Sequence, residues 1–399
     1  MKTFFTGFSA VLAIGALLMS CSSPKPNSAP PTPSASAREL DVQIGGKPAV
    51  ELSLSEPADT SQPYFVSVDV LPGRGMNIFQ VRAFIPGKGV VDVLSAPSLQ
   101  EAAGLMNGGP DDAYATQSFK MGGAILVPFA NRIRGRLSAD KKTLQTTILG
   151  KTVTLDANWI GKLPTAEHHA MHGLIMGRAM DSVNTHADAS QASVIGSLDA
   201  GDFGGHWLSK TQLTITATLQ RDSVVLQVTA KNVGDADDPI GVGWHPYFEL
   251  PSGDRTQARL RVPAKQRALV NNYDDVFPTG KLVPVAGTPY DFSGPTGAPL
   301  GKLFMDDCFV DLRRDPDGGA TAEIIDPAAH YGLRIQGQSK EITAFQAYAP
   351  PDKNFVAFEP QFNWADPYSK IWHGKETGMV VLKPGQSVTY EVALRLFVP

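Results

Sequence analysis

Few residues in this 399-residue chain have the types and settings for acid–base chemistry, and they are far apart in sequence. His245 lies in Gly241-Val-Gly-Trp-His-Pro-Tyr-Phe-Glu-Leu250, fixed before a proline and between aromatic residues at the end of a strand-like run. Glu359 follows the apolar run Phe355-Val-Ala-Phe358 and precedes Pro360. It is expected at a strand end and partly desolvated, which raises a carboxyl pKa and makes a better base. Together they suggest a general acid–base pair, although spacing alone does not bring them together. Arg132 stands beside Asn131 in Phe129-Ala-Asn-Arg-Ile-Arg-Gly-Arg136. Its guanidinium fork can donate to two hydroxyls at once, as a polyol requires. Arg134 and Arg136 read as a basic surface turn.

His168-His-Ala-Met-His172 invites a zinc reading. The spacing is not the His-Glu-x-x-His of a helical metalloprotease, and no cysteine pair supports it. His168 and His169 are therefore expected in a solvated loop, and no metal is expected. The formal net charge of -4 argues against a nucleic-acid partner, which would want a basic face. Two cysteines, Cys21 and Cys308, cannot make a disulfide framework.

The elements that must position these groups read as β-structure. Leu213-Thr-Ile-Thr-Ala-Thr-Leu219 alternates with period two, residues 220–223 can turn, and residues 224–230 alternate again, a hairpin with one face buried. Val388, Tyr390, Val392, Leu394 and Leu396 likewise share a face. Thirty-eight glycines and 31 prolines punctuate the chain. One short helix is expected from Ser98, with Glu101 completing a capping box, to near Asn107-Gly108. Strands and helices do not alternate, so a parallel α/β fold is not expected. The reading is an all-β, large antiparallel β-sandwich in one domain over residues 39–399.

Residues 1–20 have Lys2 in a short n-region and an apolar run over residues 4–18, too short and wrongly flanked for a membrane span. They end in Leu18-Met-Ser-Cys21, which resembles the bacterial lipoprotein signal box and implies that Cys21 becomes a lipidated N-terminus. Residues 22–38 are almost all Ser, Pro and Ala, a tether that cannot bury a core. The expected location is the cell envelope, lipid-anchored, with Ser22 leaning toward the periplasmic face of the outer membrane. Cys308 then reads as a buried small hydrophobe.

Four separated segments resemble, in order, those of the aldose 1-epimerases, also called galactose mutarotases. They are Asn131-Arg132-Ile133, His172-Gly173, Trp244-His-Pro-Tyr-Phe248 and Phe358-Glu-Pro-Gln361. Phe277-Pro-Thr-Gly280 through Tyr290-Asp-Phe292 and Met305-Asp-Asp-Cys-Phe309 also fit. The resemblance runs from about residue 40 to the end and implies a β-sandwich of the supersandwich type, in agreement with the alternation. It implies Glu359 as base and His245 as acid, with Arg132, His172, Asn131 and Asp306 on sugar hydroxyls and Gln361 behind or facing the ligand. Asp307 is an equally close neighbour for the aspartate. The implied activity is anomer interconversion of a free monosaccharide, with no cofactor; the alternative is a non-catalytic carbohydrate-binding sandwich. Leu174 replaces a glycine usual in the family, and Trp244 a small polar residue; Trp244 is the tryptophan expected near the site, because it adjoins His245. The Tyr348-Ala-Pro-Pro351 stretch suits a mutarotase-like branch. The sequence gives no oligomeric state.

Overall fold

The computed structural model describes residues 1–4, 6–7 and 34–399. Cys21, with its expected lipidation, and most of the expected signal and tether lie outside the described residues. The chain divides into two compact units, Met1–Thr32 and Pro33–Pro399, and the second is the sandwich. Its first strand, Ala35–Ile44, starts before the expected boundary at residue 39. Ala35 and Ala37 pack on the core, and Arg38 bonds Glu51 across the strand pair at 2.8 Å. Residues 35–38, read above as the end of a linker, are therefore strand. Ser-Ala-Ser-Ala alternates in size too weakly to stand out from the linker before it.

Two large sheets form among the described residues, one of 12 strands and one of nine, with every recorded strand pairing antiparallel. The nine-stranded sheet contains the expected hairpin. Thr211–Gln220 pairs with Val224–Asn232 in the register Leu219↔Val224, and Val224–Asn232 pairs in turn with Ser387–Phe397. Leu213, Ile215, Ala217 and Leu219 are buried on one face while Gln212 and Thr214 are exposed, the outcome that period-two patterning dictates. That face shares one core with Trp244, Phe248, Phe345 and Phe358 of the 12-stranded sheet. The Tyr390 hydroxyl crosses between the sheets to donate to the Pro360 carbonyl at 2.8 Å.

The short helix is Leu99–Leu105 with the expected capping box: Ser98 Oγ accepts from the Glu101 amide and Glu101 Oε2 accepts from the Ser98 amide. It ends slightly short of Asn107. Beyond it runs an unexpected 3₁₀ segment, Pro110–Phe119, bent by left-handed Tyr114 and Ala115 (φ 59° and 58°). This segment delivers Phe119 to the site described next.

Candidate active site

The centre of the 12-stranded sheet runs Gly123–Leu126, Gly243–Glu249, Phe355–Gln361, Ala344–Ala349, Met305–Leu312. Register does the assembling. Gly243 faces Gln361 and Tyr247 faces Ala357, which sets His245 across from Glu359. Glu359 faces Gln346, and Gln346 faces Cys308, so four strands place one residue each in a single row. The adjacent row on the same face holds Tyr247, Ala357, Tyr348 and Asp306. Side chains alternate across a strand, so the residues between these positions point to the opposite face, where Trp244, Phe345 and Phe358 enter the core.

A cavity of about 400 Å³ opens over this face. At its buried end His245 Nε2 lies 3.3 Å from Glu359 Oε1. Glu359 Oε2 accepts from Gln361 Nε2 at 2.8 Å. Beside the pair a closed ring of side chains forms. Arg132 Nη2 donates to Asp306 Oδ2 at 3.2 Å, and Gln346 Nε2 donates to Asp306 Oδ1 at 2.6 Å. Asn131 Nδ2 donates to Gln346 Oε1 at 3.0 Å, and Arg132 Nη1 donates to Asn131 Oδ1 at 3.0 Å. Every member holds two others, so the guanidinium is fixed before any ligand arrives.

Arg132 and His172 reach the cavity from a small two-stranded pairing of Arg132–Ile133 with Ala170–Met171. Met171 pairs with Arg132, and the His172 amide donates to the Asn131 carbonyl at 2.9 Å. Asn131 and His172 both sit at φ 63°, a left-handed conformation that costs a non-glycine residue and collects at functional sites. The His172 ring lies 4.8 Å from that of His245 and 4.9 Å from that of Phe119.

Burial sets the proton inventory. It pushes His245 down to about 4, with the Arg132 charge adding to the effect. His172 is held well below its ordinary value by burial, then by His245 and Arg132. Burial, reinforced by the Asp306 charge, raises Glu359 well above the usual carboxylate range against the opposing pull of Gln361 and Arg132. Burial also raises Asp306, opposed by Arg132 and Gln346. Burial thus favours the neutral form of both partners, a carboxyl that resists ionising beside an imidazole that resists protonation.

Glu359, His245, Arg132, His172 and Asp306 all line the cavity. Asn131 and Gln361 stand behind its wall and act through Arg132 and Glu359. Strand alternation separates the two aspartates: Asp306 faces the cavity, while Asp307 bonds Arg267 at 2.5 Å and the Tyr273 hydroxyl at 2.9 Å. Trp244 does not approach the site. As the immediate neighbour of His245 on a strand it points to the core, 1% exposed, with Nε1 on the Gly123 carbonyl. His169 is not in a solvated loop either. It is fully buried, its Nδ1 bonded to the Glu167 carbonyl and its ring against Phe277. Arg134 remains half exposed on Glu167, as a surface turn should. Cys308 is buried and unpaired, as expected.

Sequence reasoning missed Gln346 and Tyr247, both of which line the cavity. Tyr247 was readable, two residues beyond His245 and so on its face. Gln346 had a fainter signal, a lone amide inside an apolar strand. Among the described residues no group of three or more His, Cys, Asp and Glu could hold a metal ion. A larger cleft of about 700 Å³ shares Met171 with this cavity, but its buried charges, Arg74 and Asp112, are paired with each other. The smaller cavity gathers the candidate acid–base residues.

A model of the aldose 1-epimerase family matches residues 93–395. The chain belongs to that family. A maltose epimerase of Levilactobacillus brevis is 26% identical over 280 residues, 66% of this chain and 76% of the relative. A galactose mutarotase-like protein of Clostridium acetobutylicum superposes with a TM-score of 0.69 at 17% identity, covering 92% of this chain and 99% of that one. The galactose 1-epimerase of Lactobacillus acidophilus gives 0.62 at 17% identity, covering 91% and 98%. These two share the fold, a galactose mutarotase-like β-sandwich. Family membership makes the chain a sugar epimerase or mutarotase by descent.

Proposed function

We propose that this protein interconverts the α and β anomers of a free aldose by acid–base ring opening and closure at Glu359 and His245. The observation that carries the reading is the buried His245–Glu359 pair at 3.3 Å, at the end of a cavity whose other polar groups suit hydroxyls. With the proton on His245 Nε2, the Glu359 carboxylate takes the proton of the C1 hydroxyl while His245 gives its own to the ring oxygen. The C1–O5 bond breaks and C1=O1 forms. The pair is left as protonated Glu359 and neutral His245, the arrangement that burial favours at rest. Rotation about C1–C2 presents the other carbonyl face. O5 attacks it, His245 recovers the O5 proton, and Glu359 returns one to O1. Positioned acid–base groups of this kind contribute about 10²–10⁴-fold.

Arg132, His172 and Asp306 would bind the remaining hydroxyls, with Asn131, Gln346 and Gln361 holding them in place. Polarimetry of freshly dissolved α-D-glucose and α-D-galactose tests the reading. Faster mutarotation that disappears in Glu359→Gln supports it. Sugar binding without acceleration would leave the carbohydrate-binding alternative.

We also propose export and anchoring in the cell envelope, at the periplasmic face of the outer membrane, through a lipid on Cys21. The pattern of residues 1–21 supports it. Labelling with a radioactive fatty acid that vanishes in Cys21→Ser is the expected result; an unlabelled wild-type protein would overturn it.

A further inference from the structure

The cavity over His245 and Glu359 has two halves of different chemistry. The inner half is buried and carries the ring of Arg132, Asp306, Gln346 and Asn131, with Phe119 and Tyr247 against His245. The outer half is more exposed and mostly aromatic. Trp159, Phe304 and Tyr348 are half-buried there and Tyr273 is 41% exposed. Tyr348 lies across from Asp306 in the sheet, its ring 6.2 Å from Phe304, and Phe304 is 4.9 Å from Tyr273. The rings thus run outward from the polar half without a break.

Tyr273 and Trp159 are held in this rim by contacts of their own. The Tyr273 hydroxyl is occupied by Asp307 at 2.9 Å and Tyr290 at 2.8 Å, so the residue offers the cavity its ring. The Trp159 backbone is paired both ways with His169, at 3.1 and 3.0 Å, and its ring stands edge-on to Phe119 at 5.3 Å. Asp274 accepts the Lys162 and Leu163 amides at 2.7 and 2.9 Å, tying the loop after Trp159 to the loop of Tyr273. None of these aromatic groups belongs to the acid–base pair or to the side-chain ring beside it.

A pyranose has apolar C–H faces and hydroxyl edges, and its faces pack on aromatic rings. One sugar on His245 and Glu359 has its hydroxyls served by the inner half, so the aromatic half lies beyond it. The cavity, about 400 Å³, falls in the range of roughly 300–1,000 Å³ that takes ligands larger than one sugar ring. We propose that the outer half is a second sugar subsite, and that the substrate is the reducing end of a disaccharide or longer saccharide. The second ring stacks on Phe304 and Trp159 while the reducing sugar lies on His245 and Glu359. This rests on the acid–base reading above.

The test compares anomer exchange of maltose and of glucose, read by NMR of the anomeric protons, in wild type, Phe304→Ala and Trp159→Ala. The wild type is expected to turn over maltose with a kcat/KM at least about tenfold above that for glucose. Each variant raises KM for maltose about 3- to 10-fold, the worth of an aromatic packing contact, and leaves glucose kinetics within about twofold. Equal effects on both sugars, or no preference for maltose in the wild type, would overturn the subsite. If neither sugar exchanges faster, the acid–base reading fails, and titration of tryptophan fluorescence then decides the subsite alone. Maltose binding weakened by Phe304→Ala supports it, and no maltose binding overturns it. Circular dichroism of each variant separates these outcomes from misfolding.

Discussion

The same strands have two opposite faces at the centre of the large sheet. On one, His245, Glu359, Gln346, Tyr247 and Asp306 meet around a cavity. On the other, at odd-numbered steps along the same strands, Trp244, Phe358, Phe345 and Phe309 are buried in the main core. The first face gathers polar groups where water is scarce, which disfavours charge and costs stability. The second provides the apolar burial that offsets that cost. Function and stability are thereby assigned to alternate residues of one backbone, and a shift of one position exchanges them.

Substitutions can break this comparison. The largest effect belongs to the cavity face. Glu359→Gln should lower the anomerisation rate by about 10²–10⁴-fold, the worth of a positioned base. It should leave the thermal midpoint unchanged or higher, because it removes a carboxyl that resists ionising where it sits. A rate retained to within tenfold, or a clear loss of stability, would break the division. Phe358→Ala, one residue away, should do the reverse. It should cost about 3–5 kcal/mol in denaturant unfolding, as for a fully buried phenylalanine, with near-normal turnover per folded molecule.

The pH dependence sharpens the contrast on the cavity face alone. His245 is depressed to about 4 and Glu359 is raised, so one proton resides on the pair between those limits. Activity should fall as pH drops through about 4, where His245 becomes charged and no base remains. It should fall again where Glu359 ionises with His245 neutral, well above ordinary carboxyl values, since no acid then remains. The two apparent values belong to the pair rather than to either residue. The stability held by neutral His245 is present above the unfolded histidine value and is lost as pH falls through about 4. An activity profile flat across that limb would contradict the assignment.

The smallest effect expected is at Trp244. Trp244→Phe removes only the indole bond to the Gly123 carbonyl and part of a ring, about 1 kcal/mol for the hydrogen bond, and should leave the kinetics unaltered. A changed KM would mean that the residue next to His245 reaches the sugar after all.

Much of this was legible in the sequence, for reasons the two faces explain. Period-two patterning made the sandwich and the 211–232 hairpin readable, because a half-buried strand must alternate. Glu359, His245 and Arg132 stood out as polar residues inside apolar runs. The same alternation, applied one step further, would have sent Trp244 to the core and chosen Asp306 over Asp307. What could not be read was depth and crossing. His169 lies in a polar stretch yet is buried under Phe277, because distant loops fold over it. Trp159 and Phe304 come from loops without pattern, and only the closed fold brings them to one rim.

The central claim is that Glu359 and His245 act as one unit sharing one proton. Its most direct test is the anomerisation rate of Glu359→Gln, His245→Gln and the double variant, measured side by side by polarimetry. Members of one catalytic unit are strongly non-additive, so the account predicts a double variant no slower than the worse single variant, to within about threefold. Losses that multiply would mean that the two residues act independently, and would contradict it.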